Sequence, residues 1–79
     1  MNYKKIILRK LYRGGVIGGK HTAVEHLTKG LPSHAIGEAK KAVNELIKEK
    51  FVLSKPTSYG LQVSLNTIKI NEIEKIINE

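Results

Sequence analysis

Cysteine, tryptophan and aspartate are absent from these 79 residues, and phenylalanine occurs once. Without cysteine, neither a disulfide framework nor a thiolate metal site can reinforce the core, and a reducing cytoplasm is the simplest compartment to expect. Without aspartate, every acid is a glutamate, so the carboxylate that usually completes a nucleotide-hydrolysing Mg²⁺ site is missing. No serine, histidine and acid arrangement stands out either, and the expectation is a protein that is not an enzyme, with no catalytic residue and no cofactor. The stretch MNYKKIILRKLYRGG interleaves charges with apolar residues and has no uninterrupted apolar run. It reads as neither a signal peptide nor a membrane span, so a soluble cytoplasmic protein with no membrane partner is expected. A chain of this length has room for one small domain, which buries only about 60% of its unfolded surface and depends on efficient packing.

Positive charge is what the chain has in excess. Fourteen Lys and Arg face seven acids, for a net charge of +7. The segment beyond Asn66 holds Lys69 and Lys75 against Glu72, Glu74 and Glu79, so the residues before it carry 12 bases and 4 acids, a net +8. A domain this basic suits a polyanion, and nucleic acid is the commonest one in a cell.

Two motifs invite sharper chemistry and fail on context. Gly14-x4-Gly19-Lys20 has the glycine and lysine frame of a phosphate-binding P-loop, but His21 stands where that loop needs a Ser or Thr to reach Mg²⁺. A P-loop also follows a buried strand, and here a basic amphipathic helix precedes it. The glycines read instead as a connection that lets backbones approach closely. His21, His26 and His34 are spaced by five and eight, not by the step of four that puts two ligands on one helical face, so no metal site is expected.

The pass along the chain gives helices and then a strand pair. Ile7, Leu8, Leu11 and Tyr12 recur at helical spacing and Gly14-Gly15 stops them, predicting a first helix over 2–13. Thr22-Ala-Val-Glu25 has the form of a capping box and opens a second helix over 22–29. Pro32 and Ser33, as turn and N-cap, open the longest helix over 33–50, with Ile36, Ala39, Val43, Leu46 and Ile47 as its core stripe. From Phe51 the period changes to two: a hairpin over 51–65 is predicted, with a tip of about five residues from Pro56 to Gly60. A short helix over 67–79, capped by Asn71, carries Ile73, Ile76 and Ile77 on one face.

The fold class expected is α+β, mostly α, in one domain spanning 1–79. Helix, helix, longer helix and hairpin is the order of a winged helix-turn-helix, here with a short C-terminal helix. AKKAVNELIKEKFVLSK resembles the third helix and first wing strand of winged-helix regulators. From about Gly18 to Asn66, with KPTSYG as the most distinctive part, the chain is similar to a group of small archaeal winged-helix proteins. The resemblance implies a winged-helix fold, which serves DNA binding in regulators and also binds RNA and proteins.

The candidate contacts follow from helical geometry. With the core stripe inward, the rotation of 100° per residue puts His34, Gly37, Lys41, Asn44 and Lys48 on the opposite side, flanked by Ser33 and Lys40. Lysine contacts phosphate or guanine, and asparagine pairs with adenine. Lys20 and His21 are placed near a helix start that can face phosphate, and Lys55, Thr57, Ser58 and Tyr59 add charge, hydroxyls and a flat ring at the wing. Double-stranded DNA is the expected partner, with structured RNA as one alternative. The other is a protein-interaction domain using the isoleucine-rich tail, whose Ile73, Ile76 and Ile77 either seal the back of helix one or, as the preferred expectation, pair with a second copy in a homodimer.

Overall fold

A computed structural model of the chain describes residues 2–79. Its elements are α1 (Tyr3–Arg13), β1 (Thr22–Ala23), α2 (Val24–Thr28), α3 (Ser33–Lys48), β2 (Val52–Thr57), β3 (Gly60–Leu65), a 3₁₀ turn (Thr67–Lys69) and α4 (Ile70–Ile77). The class is α+β and mostly helical, with one three-stranded antiparallel sheet of order β1-β3-β2.

Asn2 opens α1, its Oδ1 accepting from the Lys5 N–H at 3.1 Å. The helix closes in a Schellman motif: Gly15 N–H donates to Tyr12 O at 3.1 Å and Val16 N–H to Leu11 O at 3.0 Å, with Gly15 left-handed at φ 67°. The same motif closes α3, where Lys50 N–H donates to Ile47 O and Phe51 N–H to Leu46 O, both at 3.1 Å. Here a lysine occupies the left-handed position, at φ 69°. The helix therefore stops at Lys48, two residues short of the predicted end. A lysine in this conformation costs about 1 kcal/mol relative to glycine. Lys50→Gly is expected to raise stability by about that amount, read as a higher denaturant midpoint at unchanged slope.

Three predicted caps are corrected. Thr22 belongs to β1, opposite Val63, so sheet pairing competes with the capping geometry. Its hydroxyl lies 3.2 Å from His26 Nδ1, and α2 begins only at Val24 with no side-chain cap. Ser33 is the first residue of α3 and also makes no cap bond. Asn71 sits inside α4, and the asparagine that organises this end is Asn66. Its Oδ1 accepts from Ile68 N–H at 3.1 Å and its Nδ2 donates to Lys50 O at 2.8 Å, tying the 3₁₀ turn to the end of α3. Asn66→Ala removes both bonds and is expected to cost about 1–2 kcal/mol in a denaturant titration.

The hairpin is tighter than predicted. Pairing runs from Val52–Leu65 to Thr57–Gly60, leaving Ser58 and Tyr59 as a two-residue turn. Pro56 lies within β2 rather than in the tip, which an edge strand tolerates because a missing N–H there disturbs only one neighbour. On the other side of β3, Gly18 N–H donates to Leu65 O at 3.1 Å and Leu65 N–H to Val16 O at 2.8 Å. The glycine-rich connection thus runs beside the sheet.

The core joins Ile7, Leu8 and Leu11 of α1 to Ala39, Val43 and Leu46 of α3, to Val52, Val63 and Leu65 of the hairpin, and to Ile73 and Ile77 of α4. The buried stripe of α3 is Ala35, Ala39, Ala42, Val43 and Leu46, while Ile36 and Ile47 are half-buried at its margin. Small residues facing α1 let the two helices lie close, with Lys4 Nζ reaching Glu45 at 3.2 Å and Glu49 at 3.0 Å.

The tail packs on α1. Ile73 is 0% exposed, Arg9 donates to Ile77 O at 3.2 Å and Lys5 to Glu79 O at 2.5 Å, so cations of α1 meet the negative end of α4. Of the three isoleucines expected at a homodimer contact, Ile73 and Ile77 lie inside the protomer and Ile76 alone is half-exposed. Tyr12 Oη donates to Glu74 Oε2 at 2.5 Å. That bond, and then the nearby carboxylate charge, hold the Tyr12 phenol above its ordinary value. Because the folded value is raised, the stabilisation is present below the ordinary range near 10 and fades as pH rises through the folded value. Tyrosinate absorbance should show one of the three tyrosines ionising late, and Glu74→Gln should return it to the ordinary range.

Candidate nucleic-acid interface

The fold divides the basic residues into two groups. Lys4, Lys5, Arg9, Lys10 and Lys69 bond to carboxylates or main-chain carbonyls. Arg13, Lys20, Lys29, Lys40, Lys41, Lys48, Lys50, Lys55 and Lys75 have no such partner among the described residues. The engaged group is mostly on α1, facing α3 and α4. The free group is concentrated on α3 and the segments beside it.

All the residues singled out on α3, Ser33, His34, Gly37, Lys40, Lys41, Asn44 and Lys48, are exposed. A Cβ placed on Gly37 would meet nothing within 4 Å, so this turn of the helix is bare. The face is not uniform. Lys41 shares a depression with Lys4, Glu38 and Glu45 at the α1 edge, whereas Lys40 and Asn44 border α2 and β3 with Val24, Glu25 and Leu61. The acid-flanked edge is the poorer one for a polyanion, and the α2 edge the better. Lys20 and His21 are exposed just before β1.

The hairpin contributes differently from expectation. Directly paired residues share a face, so Val52/Leu65, Ser54/Val63 and Pro56/Leu61 lie on the side that carries the core residues, although Ser54 and Pro56 are exposed, and Leu53/Ser64, Lys55/Gln62 and Thr57/Gly60 lie on the other, where Ser64 is nonetheless buried. Lys55 and Thr57 therefore stand on the side of the wing away from the core, and Ser54 and Pro56 on the side that carries the core residues. The Thr57 hydroxyl is occupied within the turn, accepting from Tyr59 N–H at 3.2 Å and donating to Gly60 O at 2.8 Å. Ser58 is exposed at the tip, and Tyr59 is 91% exposed there.

Sequence reasoning missed Ser54, Pro56, Glu25 and Leu61. Period-two counting from buried Val52 would have found the first two. Glu25 had been assigned to a capping box that does not form.

No group of three or more metal-binding side chains occurs among the described residues, and no helix there is long and apolar enough to cross a membrane. Comparison with protein families, curated proteins and solved structures gives no significant match to this chain.

Proposed function

We propose that this chain is a winged helix-turn-helix that binds nucleic acid, and that it acts as a small DNA-binding regulator. In this reading α2 and α3 are the helix-turn-helix, α3 enters the major groove, and β2–β3 is the wing beside the phosphates. The element order supports it, as does β1, which completes a three-stranded sheet with the hairpin.

The observation that carries the reading is the state of α3: Lys40, Lys41, Asn44 and Lys48 are exposed and unpartnered on a helix whose other side is core. Lysines fix the helix against phosphates and reach guanine, while Asn44 supplies a donor and acceptor pair for adenine. The protein-interaction alternative is weakened because Ile73 and Ile77 are buried.

Mapping amide shifts during titration with a duplex tests the placement. Perturbations concentrated in 33–48 and 54–61 support it. Perturbations concentrated on α1 and α4 would assign binding to the wrong side of the molecule and overturn it.

A further inference from the structure

A recess of about 210 Å³ lies between α2, α3 and β3, lined by Val24, Glu25, Lys40, Val43, Asn44 and Leu61. Val24 and Val43, 8% and 1% exposed, form an apolar floor with half-buried Leu61. Around it stand a carboxylate, an ammonium and a carboxamide. None of the three side chains has a hydrogen-bond or ion-pair partner among the described residues. The Glu25 carboxylate reaches the tip of the wing, since a Cβ on Gly60 would lie 3.8 Å from its Oε1.

The volume is below the roughly 300 Å³ at which pockets for drug-sized ligands begin. A single planar heterocycle suits it better than a whole nucleotide. Glu25 narrows the choice further. On a face where lysines draw in phosphates, a free carboxylate repels the backbone and gains only where the strand presents a donor, as the exocyclic amines of adenine, cytosine and guanine do. Asn44 offers the complementary acceptor and donor, and Lys40 is free to take the adjoining phosphate. The apolar floor matches a base face removed from its stack, a removal that costs least when the base is already unpaired.

We propose that this recess binds an unpaired nucleobase bearing an exocyclic amine, beside the duplex held by α3. The proposal rests on the nucleic-acid reading above, and one experiment separates the two. Affinities are measured by fluorescence anisotropy for a fully paired duplex, the same duplex with one bulged adenine, and the same duplex with one bulged thymine, which has no exocyclic amine. The bulged-adenine duplex is expected to bind roughly tenfold more tightly than the bulged-thymine duplex, in line with one good base contact. Glu25→Gln and Asn44→Ala should each bring that ratio towards one. Equal binding of all three duplexes overturns the base site and leaves the duplex reading standing. No binding to any of them overturns both.

Discussion

Ile73→Glu is expected to leave the chain unfolded at 25 °C. Ile73 is fully buried in the cluster that contains Ile7, Leu8 and Leu11, and truncating such an isoleucine alone costs about 2–5 kcal/mol. A carboxylate buried there without a partner adds a further desolvation cost. At roughly 0.05–0.15 kcal/mol per residue, a domain of this size has about 4–12 kcal/mol in total. Loss of the helical circular dichroism signal is the readout, with Ile73→Val retaining the fold. A folded Ile73→Glu protein would mean that α4 lies outside the core, which returns Ile73 and Ile77 to the surface and revives a dimer contact.

The second large effect is on binding. Reversing Lys40, Lys41 and Lys48 to Glu should weaken duplex affinity by about 10³-fold at physiological salt. Each phosphate contact carries a counterion term of about fivefold at 0.15 M, and reversal adds repulsion to its loss. All three side chains are exposed, so the fold should persist, and unchanged circular dichroism is the control. Lys75→Glu, on α4, is compared with the single reversal Lys40→Glu, which changes the net charge by the same two units, and should change affinity by a factor of a few at most. Equal losses from Lys75→Glu would show that net charge, not the α3 face, governs binding.

The sequence was most legible where periodicity runs long. Val52 to Leu65 read as a hairpin, α3 was placed from Ser33 to within two residues of its end, and α1 to within one. It was least legible where two local rules compete. Thr22 satisfies a capping motif and a strand position, and pairing with Val63 prevails. Asn71 and Asn66 are both plausible caps on composition, and only the position of the Lys50 carbonyl favours Asn66. Pro56 reads as turn chemistry until the sheet order shows it on an edge strand. The α3 stripe takes in Ala35 and Ala42 and leaves Ile36 and Ile47 at its margin, a tertiary choice that residue hydrophobicity alone does not reveal. The same limit applied to the wing: Lys55 was expected to share a surface with α3, but its side of the strand depends on which register partner is buried.

The most direct measurement of the central claim is the affinity for a short DNA duplex as a function of salt. If Lys40, Lys41 and Lys48 all meet phosphates, log K falls linearly with log salt at a slope of about −2.7, and Lys40→Ala makes the slope shallower by about 0.9. A slope near zero, or no binding at low salt, would contradict the claim that this basic face is a nucleic-acid interface.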